Sequence, residues 1–215
     1  MEVEKWLRVH GSNPSRRLVT VEVGCNLGDC LLWAAGRVDR RIRGIGFEGE
    51  AAVVATARRS IETLRLEGQV DVLHRQITNS PVGTSTKWIC QDPANLANCG
   101  LQEMPHMDPL KHASAPSQAT SVDAELDRMA IGLVDIFQVS IGGELHQVMD
   151  ILHSASQTLQ RASTVIVAVP NPCPPSFCYP IGLYLRDSGF DQIGRLGQTC
   201  PEEGLPCPMM ARKTL

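Results

Sequence analysis

Glu22, Glu48 and the glycines between them are the residues of this chain whose types and spacing could hold a ligand. The first group is Val21-Glu22-Val23-Gly24-Cys25-Asn26-Leu27-Gly28, where an apolar, β-branched run ends in an acid and then in Gly24, Asn26 and Gly28. Leu31, Leu32, Ala34 and Ala35 follow at helical spacing. Strand, glycine turn and helix in that order present backbone amides and a helix N-terminus to a ligand. A glycine there either makes the turn or leaves room for the ligand to come close. The spacing is E-x-G-x-N-x-G, not the G-x-G-x-x-G of dinucleotide enzymes. Glu48 closes the next apolar run, about twenty residues past the turn, where a carboxylate accepts hydrogen bonds from two vicinal ribose hydroxyls. Glu48 and Glu50 also precede a helix and favour its dipole. Gln76 and Ile77, at the end of the third apolar run, fall where the base of such a nucleoside would be held by backbone groups and an apolar side chain.

A parallel sheet is needed to bring these groups to one edge. The pattern predicts strands over 18–23, 40–48 and 70–77, with helices over 27–36 and 50–66, the second closed by Gly68. This βαβαβ order is the first half of a doubly wound sheet with right-handed crossovers. Residues 78–90 read as a turn and an extra strand. Over 91–119 periodicity disappears and Pro, Asn, Ser, Met and His dominate, as in a long excursion over a site or across the surface. A helix capped by Thr120 or Ser121 comes next. It is followed by a strand over 133–139, a helix over 144–159 and an apolar strand over 165–169. Prolines make 170–180 a rigid loop; a short helix over 181–188 and a β pair over 190–197 and 207–212 complete the chain.

At 215 residues, the chain suits a single α/β domain spanning 1–215. A net charge of −3 gives no electrostatic footprint for nucleic acid. No apolar run is long enough for a transmembrane segment, and the first residues, Met1-Glu2-Val3-Glu4-Lys5-Trp6, do not read as a secretory signal. Six of the eight cysteines form close pairs, Cys90/Cys99, Cys173/Cys178 and Cys200/Cys207. Such pairs read either as disulfides of an oxidising, secretory compartment or as free thiols of the cytoplasm. No C-x-x-C occurs and the six histidines are scattered, so no metal site is expected.

Taken together, these motifs resemble the FkbM family of S-adenosylmethionine-dependent methyltransferases. The matching pieces are Val21 to Gly28, Gly46-Phe47-Glu48, the stretch ending Asn98-Cys99-Gly100, Thr120-Ser121-Val122-Asp123, and Val134 through Glu144, over about residues 18–170. The resemblance implies a class I, Rossmann-like, mostly parallel sheet with an antiparallel C-terminal β pair. It implies S-adenosylmethionine as cofactor and methyl transfer to a hydroxyl of a small molecule or glycan. In that reading the Glu22, Gly24, Cys25, Asn26 and Gly28 segment lies against the methionine part, Glu48 takes the ribose, and Gln76 and Ile77 flank the adenine. The chain departs from the family after the fourth core strand. The family's Lys-Ile-Asp-Val-Glu-Gly is here Gln138-Val139-Ser140-Ile141-Gly142-Gly143. Both carboxylates that would serve as general base are therefore replaced. Gln138 and Ser140 are left to orient an acceptor, with Glu144 as a substitute acid turned about 100° from the lost position; His146 and Asp135 are further substitutes. The alternative is a methyltransferase-fold binding or regulatory protein with weakened catalysis. An NAD-dependent oxidoreductase fits less well, because Asn26 breaks the glycine spacing and no Tyr/Lys proton relay is evident.

Overall fold

Short β-branched runs alternating with amphipathic helices leave one economical arrangement, a sheet covered on both faces. The computed structural model describes residues 17–37, 41–79, 85–86, 89–90, 99–100, 117–141, 144–169, 173–195 and 207–214. Among them, β1 (Leu18–Val23), α1 (Asp29–Arg37), β2 (Ile42–Glu48), α2 (Ala51–Thr63) and β3 (Val70–Ile77) form the expected βαβαβ unit. Three short strands follow, β4 (Ser85–Thr86), β5 (Ile89–Cys90) and β6 (Cys99–Gly100), and then β7 (Ser117–Thr120). The second half comprises α3 (Val122–Arg128), β8 (Val134–Val139), α4 (Leu145–Ser154), α5 (Ser156–Arg161), β9 (Ala162–Val169), α6 (Pro175–Asp187), β10 (Gln192–Arg195) and β11 (Cys207–Arg212).

The described strands of the main sheet run in the order β10-β11-β9-β8-β1-β2-β3-β7-β4. β1 pairs in parallel with β2 on one side and β8 on the other, so the winding direction reverses between β1 and β8. A crevice opens at such a point, beyond the carboxyl ends of the strands. The C-terminal pair is antiparallel, as expected, with β11 between β9 and β10.

Strand alternation sorts side chains onto two faces. Val21, Val23, Ile45, Phe47, Ile77, Phe137 and Val139 join α3, α4, α5 and α6 in the larger core. Leu18, Ile42, Val70, Val72, Ile136 and Ile166 join α1 and α2 in the smaller one. Glu22, Glu48, Gln76, Gln138 and Ser140 share the parity of this second set and stand on the α1/α2 face.

Two predicted boundaries are corrected. The helix expected over 144–159 is two helices broken at Ala155, whose φ and ψ are −112° and 22°. Buried Asp123 of α3 causes the break by capping α5 from outside. Its carboxylate accepts from the Gln157 and Thr158 amides at 2.9 and 2.8 Å and from the Thr158 hydroxyl at 2.6 Å. Periodicity within the segment carries no trace of a partner so far away in sequence. The rigid loop expected over 170–180 already belongs to α6 from Pro175 onward. Proline at the first helical position loses no hydrogen bond, and Pro180, inside the helix, forgoes only one. The excursion over 91–119 falls outside the described residues except for β6 and the start of β7, which extends the sheet in parallel beside β3.

Cys173 and Cys178, one of the expected pairs, form a disulfide with Cα atoms 6.0 Å apart at the start of α6. Cys90 and Cys99 are register partners in the β5–β6 pair. Their side chains, that of Cys207 and all of Cys200 lie outside the described residues. No helix among the described residues is long and apolar enough to cross a membrane.

Replacing the Asp123 carboxylate removes an interhelical cap and leaves one buried and one part-buried α5 amide without it. Asp123→Ala is expected to lower unfolding free energy by about 2–4 kcal/mol, against about 1 kcal/mol for the ordinary cap removed in Ser121→Ala. Denaturant unfolding measures both.

Candidate functional site

Residues 24–28 turn through three left-handed positions, Gly24 (φ 74°), Asn26 (φ 49°) and Gly28 (φ 78°). The Gly24 and Cys25 amides both donate to the Phe47 carbonyl, at 2.9 and 3.2 Å, which fastens the turn to the end of β2. Of the two roles expected for glycine at position 24, the turn is seen in its positive φ, and a close neighbour within the protein adds a second demand. A Cβ there would stand 2.7 Å from Ile141 Cγ2 and 2.9 Å from the Ser140 carbonyl oxygen. The close neighbour is the protein's own β8 exit, held by the Ser140 amide donating to the Val23 carbonyl at 2.8 Å.

At the crevice, Glu22 is the centre of a closed set of hydrogen bonds. Gln138 Nε2 donates to Glu22 Oε1 at 3.0 Å and to Ser140 Oγ at 2.7 Å, and Ser140 Oγ donates to Glu22 Oε1 at 3.0 Å. The other carboxyl oxygen, Oε2, is buried with no partner. Burial pushes the Glu22 carboxyl up to about 7; the Ser140 and Cys30 side chains pull it down, and the Asp29 and Glu48 charges add to the rise. The Cys30 thiol lies 3.9 Å from Gln138 Nε2, and burial followed by the Glu22 charge pushes it up to about 11.

Glu48 faces the turn. Its Oε2 accepts from the Asn26 amide at 3.0 Å and its Oε1 from the Glu50 amide at 2.9 Å. Burial raises its pKa, opposed by backbone amides of Glu50, Asn26 and Gly49. Each carboxylate oxygen has a further lone pair, so these bonds leave acceptor capacity for a diol. Beside it, His74 Nε2 lies 3.0 Å from the Gly49 carbonyl. Gln76 is 3 % exposed, and both polar atoms of its amide lack a partner.

Several expected site residues stand elsewhere. Ile77 points to the opposite face and packs in the larger core, because consecutive strand residues alternate. The Cys25 side chain is buried in the smaller core, where a methyl on Gly46 would come within 2.5 Å of its sulfur; only the Cys25 backbone belongs to the turn. Glu144 precedes α4 with its side chain 83 % exposed and paired to His146 at 3.3 Å, outside the Glu22 cluster. Asp135 accepts from the Val19 amide at 2.8 Å, at the far end of β8. Gly142 and Gly143 lie outside the described residues. Cys30 and His74 were not singled out from sequence. Cys30 meets Gln138 across 108 residues of chain, a proximity that only the β1–β8 pairing creates. His74 shares the strand parity of Gln76, which was a legible signal.

No group of three or more His, Cys, Asp and Glu side chains among the described residues is arranged to hold a metal ion. No family model matches the sequence, and no curated protein matches it. Solved structures do. The N-terminal domain of human METTL16 in complex with SAH is 14% identical, with a TM-score of 0.59 over 98% of this chain and 67% of that one. The methyltransferase FkbM from Methylobacillus flagellatus KT is 12% identical, with a TM-score of 0.59 over 92% of this chain and 45% of that one. Magnesium protoporphyrin IX methyltransferase (ChlM) from Synechocystis PCC 6803 with bound SAM is 16% identical, with a TM-score of 0.56 over 99% of this chain and 77% of that one. The fold is therefore that of the class I methyltransferases, and this chain spans about two thirds of the METTL16 domain and under half of the FkbM chain.

Two tests follow from this geometry. Gly68 has the same φ as Gly24, 74°, but nothing within 4 Å of an added Cβ. Gly68→Ala is expected to cost about 1–2 kcal/mol for conformation alone, and Gly24→Ala a further 1–3 kcal/mol, roughly, for the collision with β8; denaturant midpoints compare them. The second test concerns Glu22, whose folded pKa is raised, so its favourable contribution is complete below the unfolded value of 4.5 and is lost as pH rises through about 7. Glu22→Gln is expected to be more stable than the parent at pH 8, by about 3 kcal/mol at most, with the gap closing toward pH 4.

Proposed function

We propose that this protein is an S-adenosylmethionine-dependent methyltransferase of FkbM type that acts on a hydroxyl of a small molecule or glycan. The observation that carries the reading is Glu22 Oε2, a buried, unpartnered carboxyl oxygen at the switch point of a class I methyltransferase fold. An orphaned acceptor of that kind is costly unless a ligand supplies its donor. The ammonium of the cofactor's methionine part is such a donor. The Gly24–Gly28 backbone and the α1 N-terminus would hold that part, and Glu48 would hold the ribose. When bound, the cofactor supplies a methyl group on a sulfonium, a donor already activated for transfer.

The chain's own contribution is alignment. Gln138 and Ser140 stand on the same face as Glu22 and orient an acceptor beside it. Neither is a base, and Glu144 is directed to solvent, so among the described residues the carboxyl that Gln138 and Ser140 contact is that of Glu22 on β1. Acceleration then rests on holding nucleophile, methyl and sulfur in line. The same closed Glu22–Gln138–Ser140 set favours one further reading, a binding or regulatory protein that keeps the cofactor site with little turnover.

Calorimetric titration with S-adenosylhomocysteine tests the site. Since the ionised carboxylate is the form that holds an ammonium, binding is expected to be roughly tenfold tighter at pH 8 than at pH 6, in line with a carboxyl titrating near 7. Glu22→Gln should bind more weakly and lose that dependence. Absence of binding at millimolar ligand sinks the proposal. Binding without methyl transfer to any hydroxyl acceptor tried would select the regulatory reading.

A further inference from the structure

We infer that the groove between α6 and the β10–β11 edge of the sheet is a binding site for a free fatty acid, with the aliphatic chain along α6 and the carboxylate at Arg186. The groove lies on the side of the larger core, across the sheet from the face that carries Glu22 and Glu48, so the inference is independent of the cofactor reading.

Cys178, Gly182, Leu183 and Arg186 of α6 and Ile193 and Met209 of the strand pair line a cavity of about 330 Å³. It arises because α6 carries two apolar stripes. Ile181 and Leu185 are fully buried in the larger core. Tyr179 and Leu183, one helical turn apart on a neighbouring stripe, are 71 % and 43 % exposed. Gly182 lies inside α6, where glycine is the poorest residue after proline. It does not have a positive φ, and nothing stands within 4 Å of an added Cβ. Neither the backbone nor a neighbouring residue requires glycine at this position, so the missing side chain serves only to keep the cavity open.

The lining selects its occupant by chemistry. Apart from Arg186 and the exposed Tyr179 hydroxyl, its described side chains offer no hydrogen-bonding group, since Cys178 is held in the disulfide with Cys173. A peptide segment laid there would bury amides with nothing to receive them, whereas a hydrocarbon chain asks for no partner. Arg186 is the charged group of the lining and forms no salt bridge with a described residue. A basic residue is ordinary in a last helical turn. Its place at one end of an uncharged groove is what calls for an anion, and a guanidinium holds a carboxylate through two parallel bonds. From Pro175 to Arg186 α6 rises about 16 Å, the reach of an extended saturated chain of roughly a dozen carbons.

Calorimetric titration of the full chain with dodecanoate, below its micellar range, tests the site against two comparison ligands. Octanoate keeps the head and shortens the chain; dodecyltrimethylammonium keeps the chain and reverses the charge. A fully buried methylene is worth roughly fourfold in binding, and an open groove covers each only in part, so dodecanoate is expected to bind about tenfold more tightly than octanoate, or better. It should also exceed dodecyltrimethylammonium by about tenfold, and Arg186→Gln should bring that second ratio within about threefold. Gly182→Leu, which fills the groove with a better helix former, should lose measurable dodecanoate binding and melt no lower than the parent. The inference is overturned if dodecanoate does not bind, binds no better than octanoate, or keeps its advantage over the cationic chain in Arg186→Gln. A lower melting temperature for Gly182→Leu would mean that the space is already filled, and also overturns it. So does a dimer of the parent that Gly182→Leu dissolves while dodecanoate stays unbound, which would make a second copy of the chain the occupant. Should Gly182→Leu fold poorly, Leu183→Glu at the exposed rim is the second variant, and the inference requires it to weaken dodecanoate binding by about tenfold or more.

Discussion

The site depends on how closely the end of β8 approaches the end of β1. At Gly24 the two chains are near enough that a single methyl would collide with the Ser140 carbonyl and the Ile141 side chain. That approach places Gln138 and Ser140 within hydrogen-bonding distance of Glu22 and defines the wall of the crevice. It is fixed from both sides, by the Ser140 amide on the Val23 carbonyl and by the Gly24 amide on the Phe47 carbonyl. The chain leaves β1 through a left-handed turn, with φ of 74° at Gly24, 49° at Asn26 and 78° at Gly28. Glycine is therefore demanded at position 24 before any ligand is considered.

Glu48 extends the same logic one strand outward. Its carboxylate spans the Asn26 and Glu50 amides and so ties the glycine turn to the start of α2. The turn is held in shape by a charged acceptor and does not wait for a ligand to form it. Such preorganisation lowers the entropic cost of binding. It also accounts for Asn26, a non-glycine residue at φ 49°: its amide is engaged by Glu48, and asparagine tolerates the left-handed region better than most side chains.

What the sequence revealed follows the range of the interactions involved. β1, β2 and β3 and the helices between them were legible because alternation and helical periodicity are local, and Glu22 and Glu48 were legible because each closes an apolar run. The period-two rule applied along β3 would have kept Gln76 and sent Ile77 to the opposite core. Interactions between distant segments left no local mark. The Asp123 cap that splits α4 from α5 joins residues 34 and 35 apart, and the Gln138–Glu22 bond joins residues 116 apart. Cys25 was misplaced for a related reason: its role in the motif is that of its backbone, while the side chain fills the space above Gly46. The Pro-rich entry to α6 shows that proline content alone does not identify a loop when its first proline can occupy the first helical turn.

Unsatisfied buried atoms separate a site from a merely stable fold. Most buried polar groups among the described residues are paired, Asp123 and Glu48 more than once. Among the exceptions, Arg43 Nη1 and Gln69 Oε1 lie on the residues immediately before the Gly44–Val70 register pair, away from the carboxyl ends of the strands. Glu22 Oε2 and the Gln76 amide are different. Both stand at the carboxyl ends of strands, on the face where β1, β2 and β3 converge, and one is a carboxyl oxygen for which a cationic donor is the natural complement. A sequence selected for stability alone would place an apolar residue at each position, as it has at Val21 and Ile45 on the opposite face. At these two positions a buried polar side chain stands in local conflict with an otherwise consistent sheet.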